Sequence, residues 1–443
     1  MNKNLVPKIK LTINQAINLA LQTNKSILAS RYDTSRNEFS LVTAKSEFQL
    51  KIIPAASASI GGGESQSGNN MNFGFAVQKK FEIGSTVSFS PNLNKTSGEY
   101  TSGLGISVQQ PVLRGLGRDI NLDGIKSAEY SIQSAYRSLY QTKVNIVIET
   151  VSVFYEALKQ RETMQLYKAM GKRLAGHAEV AKAKEKIGLA TPMDTYRAEI
   201  RLKDTEDSLT RASEAYQDAL DTLKTILSLP LTTEIELQNP ASPSLLAIQP
   251  ADAIATALEH RIEIEQTQAE IQEAERRAAI LRQKILPEIN LVFDYKRFDS
   301  ADKFTHSTGF AESLWGVRLE TTTDISRTAE KAAYEQGALD LQAVRLNFEE
   351  KKDEIRRQVR RQLLALQESE KRIIIRTEQI KQAEGKLSLA EVKFAHGMAD
   401  NFDVIEAETE LQEARLNLLA AELDYSVGTY NFRAVTGRLV ERD

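Results

Sequence analysis

The sequence predicts a mainly α-helical chain with a smaller β part, built as an internal tandem repeat of long coiled-coil helices. Three observations carry this. Two distant stretches, 188–227 and 397–436, superimpose without a gap and share Gly188/Gly397, Ala190/Ala399, Asp194/Asp403, Ala198/Ala407, Glu199/Glu408, Leu202/Leu411, Leu209/Leu418 and Tyr216/Tyr425. Each opens on a Gly turn and continues as a stripe with spacings of four and three, the coiled-coil signature. Long intervals lack proline altogether, between Pro111 and Pro192 and again after Pro287. By contrast, about 52–110 is rich in Gly, Ser, Asn and Thr and carries short period-two runs, the mark of strands.

Taken in order, the apolar spacing of Ile13, Ala16, Ile17, Ala20 and Leu21, then Ile27 and Leu28, is helical from Leu11 to Leu50. Asn24 interrupts it, so a short helix followed by a longer one is expected. Pro54 ends the helical pattern, because the residue before a proline disfavours the α region. Alternation then appears in Ala56/Ala58/Ile60, Phe73/Phe75/Val77, Val87/Phe89 and Leu104/Ile106/Val108. Gly61–Gly63, Ser67–Asn70 and Glu82–Gly84 read as turns. Such strands suit an antiparallel soluble sheet, the commoner case, or a membrane barrel. A helix over 122–186 would be on the order of 90 Å long, with Gly171 and Gly176 as the points where it would bend or break.

The prolines Pro230, Pro240, Pro243 and Pro250 mark a linker over 229–250, after which the pattern restarts. Ala253-Ile254 and Ala257-Leu258 echo Ala16-Ile17 and Ala20-Leu21; Leu286-Pro287 echoes Ile53-Pro54. Leu291/Phe293/Tyr295 and Trp315/Val317/Leu319 form a second, shorter strand pair, and a charged heptad helix fills about 328–394. The second half has no equivalent of 71–93, so the first carries an extra strand pair or loop. The chain thus divides into a first repeat (1–228, strands about 52–111, tip turn near 188), a linker (229–250) and a second repeat (251–443, strands about 287–323, tip turn near 397).

Composition sets the outer limits. A chain of 443 residues has room for two or three ordinary domains. Charged residues are 26% with a net charge of only −3, so nothing points to nucleic acid. No apolar run reaches the roughly 18 residues of a transmembrane helix, which leaves a closed β-barrel as the one way to span a bilayer. Cysteine is absent, which excludes disulfides, thiolate metal sites, thiol nucleophiles and lipid attachment through an N-terminal Cys in this chain. Residues 1–10 lack the apolar core of an export signal, leaving a cytoplasmic chain or a processed form as the two readings.

No enzyme, cofactor or metal site is expected. The histidines His177, His260, His306 and His396 stand singly, without ligand spacing. Arg114-Gly-Leu-Gly117 lacks the third glycine of a dinucleotide loop, with Ile120 in its place, and reads as a strand-to-helix turn. At the repeated turns, Thr191 and Asp194, and Asp400 and Asp403, have capping-box spacing. Glu406 is not explained by capping. It lies three residues past Asp403 on the same face, where the first copy has Arg197. If several chains surrounded an axis here, Asp403 and Glu406 would form stacked carboxylate rings that attract cations, the ingredients of a gate; a solvated surface is the competing reading.

Over nearly its full length the chain resembles the TolC-type outer-membrane efflux protein family. The residues that carry this are Leu11-Thr-Ile-Asn-Gln-Ala16, the passage Val108 to Gly117, both Gly-turn motifs, Leu286-Pro287, and the closing Asp424-Tyr425 to Thr436-Gly437. The resemblance implies a homotrimer sharing one transmembrane β-barrel in outer-membrane lipid, continuous with an α-helical barrel across the periplasm. It implies a passive exit duct of a Gram-negative tripartite efflux or type I secretion system, opened by a periplasmic adaptor and an inner-membrane pump. Gly188, Leu189, Ala190, Gly397, Met398 and Ala399 become adaptor contacts, and Asp403 and Glu406 match acidic constriction positions. Asp194 matches a residue that ties the tip closed. The usual tyrosine and arginine partners fall at Phe394 and Ala399, so closure rests on other pairs or is looser. The alternative is a periplasmic coiled-coil scaffold or adaptor that does not span the membrane.

Overall fold

The order of elements repeats itself at constant offsets. In the structure, a computed structural model describing residues 9–63, 66–96, 98–188, 190–239 and 249–442, the chain begins with β1 (Ile9–Leu11), α1 (Ile13–Thr23) and α2 (Lys25–Ser46). Four strands follow: β2 (Lys51–Gly63), β3 (Gln66–Lys80), β4 (Thr86–Thr96) and β5 (Glu99–Pro111). Then come α3 (Arg118–Asn121), α4 (Asp123–Lys186), α5 (Pro192–Ile226) and β6 (Ile235–Leu237). The second pass gives α6 (Pro250–His260), α7 (Ile262–Lys284), β7 (Ile289–Ala301), α8 (Phe304–Ser307), β8 (Glu312–Thr321), α9 (Thr328–Ala395) and α10 (Asn401–Val435). Helices α5 and α10 are both 35 residues long and start and stop 209 residues apart. The surplus over 71–93 is a strand pair, β3 and β4.

Contacts divide the chain into two compact units, each drawing on both repeats. The first comprises 1–32, 137–264 and 350–443, and the regular elements among its described residues are helices apart from the parallel pair β1–β6. Its main core packs Ala16 and Ala20 of α1 against Ile146, Val147, Val151 and Phe154 of α4 and Leu223 of α5. A second core packs Ala253 and Ala257 of α6 against Ile355, Val359 and Leu363 of α9 and Phe432 of α10. Ala16/Ala253 and Ala20/Ala257 correspond at an offset of 237 residues, and Ile146/Ile355, Phe154/Leu363 and Leu223/Phe432 at 209, so the repeat extends to the packing. Ala16, Ala20 and Ala257 are fully buried; their short side chains let helices approach closely, as dense cores require.

The second unit comprises 33–136 and 265–349 and holds a six-stranded sheet of order β2-β3-β4-β5-β7-β8, antiparallel throughout. Pro91 in β4 has no amide hydrogen to donate, and the β3–β4 ladder lapses at Phe75 and Ala76. Beside the lapse, a side chain at Gly74 would meet the Pro91 carbonyl at 2.6 Å, which only glycine avoids.

The break at Asn24 is held by one distant and one local hydrogen bond. Its buried side-chain amide donates to the Ile226 carbonyl (2.9 Å) while its oxygen accepts the Ser26 amide (2.8 Å). Several expectations are corrected. Gly61–Gly63 and Ser67–Asn70 are not turns but strand residues, paired as Gly61 with Gly68 and Gly62 with Ser67; glycine permits turns without requiring them. Leu11 lies in β1 rather than a helix, and the linker contains β6, its Ile235 and Leu237 buried in the main core. Helix α4 is unbroken at Gly171 and Gly176. Pro240 and Pro243 lie outside the described residues.

Phe154 is fully buried in the main core. Phe154→Ala is expected to cost about 3–5 kcal/mol, read as a lowered unfolding midpoint by circular dichroism; an unchanged midpoint would refute this core.

Candidate functional sites: the hairpin turns and the sheet face

The turns between α4 and α5 and between α9 and α10 share one backbone design. Gly188 and Gly397 take φ of 75° and 72°, values that disfavour any residue with a Cβ. The helices then start on complete capping boxes. The Thr191 hydroxyl accepts the Asp194 amide (3.3 Å), and Asp194 Oδ2 accepts the Thr191 amide (3.0 Å) and hydroxyl (2.7 Å). Asp400 Oδ1 accepts the Asp403 amide (3.0 Å), and Asp403 Oδ2 accepts the Asp400 amide (3.2 Å). These bonds hold the Asp194 carboxyl below the usual carboxylate range, the Thr191 hydroxyl contributing most. Both aspartates therefore cap helices, whatever else they do.

Electrostatics separate the copies. Asp403, Glu406 and Glu410 are exposed at helical spacing along α10. Lys386 of α9 binds Glu410 at 2.6 Å, and its ammonium is held above its usual value by Glu410 first, with Glu406 and Asp403 adding to it. In the first copy Arg197 lies 5.3 Å from the Phe402 ring of α10. Lys184, near the end of α4, sits 3.7 Å over Phe394 at the end of α9. Two cation–π contacts thus join the hairpins, one of them at Phe394, where the resemblance implies a tyrosine. Each is worth about 0.5–1 kcal/mol at an exposed site.

Behind the turns lies a buried polar contact between α10 and α4. Glu408 is only 2% exposed. It accepts from Arg173 Nε, and its second oxygen lies 3.4 Å from His177 Nε2. Burial pushes the His177 imidazole below its usual value, so Arg173 supplies the balancing charge. The Asn401 amide donates to the His177 carbonyl (3.2 Å). The equivalent Glu199 is half-buried and bonds Lys182 within its own hairpin at 2.5 Å. Sequence reasoning marked Glu408 only as a repeat identity and His177 as solitary. A carboxylate recurring on a core-facing stripe was the available signal for this cluster; Lys386 had none. Among the six proposed contact residues, Met398 is 69% exposed, Gly188 and Gly397 are exposed, Ala399 and Ala190 are half-buried, and Leu189 lies outside the described residues.

The sheet has two chemically different faces. One registered row crosses all six strands as Ile52, Val77, Phe89, Ile106, Tyr295 and Trp315. Beside it lie Val87, Val108, Phe293 and Val317. The opposite face carries Ser88, Ser107 and Asp294 in register, with Arg318 bound to Asp294. Trp315 is 70% exposed and Phe73 67%. Strands β2 and β8 form the two edges. No helix of the described residues is long and apolar enough to cross a membrane.

Residues 253–438 match the family model described as outer membrane efflux protein. Among solved structures, the chain is similar to the Campylobacter jejuni CmeC outer membrane channel (TM-score 0.76, 12% identity, 97% of this chain and 86% of that one). It is also similar to the outer-membrane channel OprN (0.75, 15%, 96% and 89%) and to the open state of the Neisseria gonorrhoeae MtrE outer membrane channel (0.71, 16%, 96% and 89%). No curated protein matches the chain in sequence. The fold, mainly helical with a β part, is similar to that of these channels.

A carboxyl held below its ordinary value of 3.8 stabilises the fold above that value and stops doing so as pH falls through its lowered one. Asp194→Asn is therefore expected to loosen the start of α5 at pH 7 and to match the wild type in strong acid. Hydrogen exchange at 191–195 tests this; equal protection at pH 7 would refute the cap.

Proposed function

Because residues 253–438 match the outer membrane efflux protein family, we propose that the chain is one protomer of an outer-membrane exit duct. In this reading three copies share a closed β-barrel in the outer membrane of a Gram-negative cell, and their long helices continue it into the periplasm. The observation that carries the reading is the sheet: one face carries a registered apolar row across every strand, the other carries Ser88, Ser107, Asp294 and Arg318 beside Ile53 and Leu314, and among the described residues β2 and β8 each lack a neighbouring strand on one side. Strands of 10–15 residues exceed or meet the ~9–11 needed to cross a bilayer. Lipid tolerates only sheets without edges; joining β8 of one copy to β2 of the next removes both edges at once. Phe73, Phe75, Phe89, Phe293, Tyr295 and Trp315 would face lipid, and Ser88, Ser107 and Asp294 the lumen.

The duct is passive and contains no catalytic centre, cofactor or metal. An adaptor in the periplasm and a pump in the inner membrane would open it, as part of tripartite efflux or type I secretion. Exposed Met398, with Gly188, Leu189, Ala190, Gly397 and Ala399, forms the adaptor contact. Asp403 and Glu406 line the gate, where copies around an axis would concentrate cations. Asp194 steadies the turn through its cap, and the contacts Lys184–Phe394 and Arg197–Phe402 hold the hairpins together.

Reconstitution in planar bilayers with mass determination in detergent tests the duct: a conducting trimer is expected, and a non-conducting monomer would sink the reading. Asp403→Ala with Glu406→Ala should weaken block by multivalent cations; unchanged block would leave Asp403 with its capping role alone.

A further inference from the structure

The connection between β7 and β8 does not simply turn at the end of the sheet; it lies on the apolar face. On that face β5 presents Val108, Ile106 and Leu104, then Ser102 and Tyr100, with Lys95 of β4 and Arg297 and Asp299 of β7 beside them in register. The loop 302–311, which contains α8, is fastened to these residues. Ser307 is fully buried and shares a hydrogen bond of 2.8 Å with the Ser102 hydroxyl, itself buried. The Phe304 ring meets Tyr100 edge-on at 6.3 Å, and Arg297 donates to the Phe310 carbonyl at 2.6 Å. A Cβ at Gly309 would lie 3.0 Å from the Asp299 carboxylate. Attachments to one face fix the side on which the loop lies. It is folded over the end of the apolar row, not across the opposite face.

We propose that loop 302–311 is a membrane-surface anchor, holding Phe304 and the cations Lys95, Arg297 and Lys303 against the phosphate-bearing headgroups of outer-leaflet lipid. The proposal rests on the duct reading above, in which the apolar face meets lipid, and adds a contact made by the loop. The long helices leave from the other end of the strands, so this end faces outward in the duct. Chemistry along the face supports this occupant. Ile106 and Tyr100 are roughly 20 Å apart along β5. Over that distance aliphatic side chains give way to hydroxyl, aromatic and charged groups, the order met on leaving hydrocarbon for headgroups. Phe304 stays 48% exposed despite Tyr100, an apolar ring left for lipid to cover. Lys95 stands 5.0 Å over the Tyr100 ring, and Arg297 and Lys303 are exposed. The acids of this end are set apart. Glu99 and Glu312 fall on the opposite face by register, and Asp299 lies beneath Gly309. That leaves Asp302 beside three cations, so the lipid side is positive on balance and suits phosphate.

Trp315 is the one tryptophan of the chain and lies on the apolar face, so its emission tests the duct while a tryptophan moved to the loop tests the anchor. The chain is reconstituted in vesicles of phosphatidylcholine and phosphatidylglycerol carrying either acyl-brominated lipid or lipid with a headgroup nitroxide. Wild-type emission should be quenched by the bromines. With Trp315→Phe and Phe304→Trp combined, the headgroup nitroxide should quench strongly and aqueous iodide weakly. Ser102→Ala with Ser307→Ala, which unfastens the loop, should lower nitroxide quenching about twofold, as should Lys95→Gln, Arg297→Gln and Lys303→Gln together. Conducting trimers whose new tryptophan responds to iodide and not to nitroxide would overturn the anchor and leave the duct standing. Quenching unchanged by the three glutamine substitutions would overturn the phosphate contact. Non-conducting particles whose Trp315 is untouched by brominated lipid would overturn both readings.

Discussion

A sheet with two open edges and one bare apolar face is the constraint on which the rest depends. Along β2 and β8 one side of the backbone faces no other strand among the described residues, and unpaired edges of this kind template association. Water and lipid penalise the arrangement differently. In water the row from Ile52 to Trp315 is an adhesive patch; in a bilayer that row is satisfied and the edges become intolerable. In the duct proposed above, closure with the strands of further copies would answer both.

The helical unit solves a related problem by duplication. Cores built on Ala16 and Ala20 and on Ala253 and Ala257 use the same spacing against α4 and α9, so one packing solution serves twice. What differs is charge. Arg197 stacks on Phe402 where its counterpart Glu406 stays in solvent, and the Glu408 carboxylate is sealed while Glu199 is not. Burying Glu408 costs desolvation that Arg173 and His177 only partly offset. Its physical merit is specificity: sliding α10 against α4 would strand a carboxylate in the core.

Much of this was legible in the sequence because it is local. Heptad stripes revealed α4, α5, α9 and α10, and the spacing of Thr191 with Asp194 and of Asp400 with Asp403 located two helix starts to the residue. Alternation identified the strands, though Gly61–Gly63 and Ser67–Asn70 misled, since a glycine is consistent with a turn or with a wide extended ladder. Residues whose role depends on a distant helix were not legible. Arg173 meets Glu408 across 235 residues, and Lys184 finds Phe394 only once two hairpins lie side by side. The pair β1–β6 was missed because three-residue strands offer no period to read.

Gly188 and Gly397 bear on how such turns can diversify. A methyl group added at either would touch nothing within 4 Å, so the requirement is one of handedness rather than space. Asparagine, which enters left-handed conformations with little strain, is the natural substitute over a lineage's history, while β-branched residues are barred. Ile187, His396 and Met398 beside them have no positive φ and carry no such restriction. Drift can therefore rewrite the chemical identity of the tips, residue by residue, while the direction in which the chain turns back is inherited unchanged.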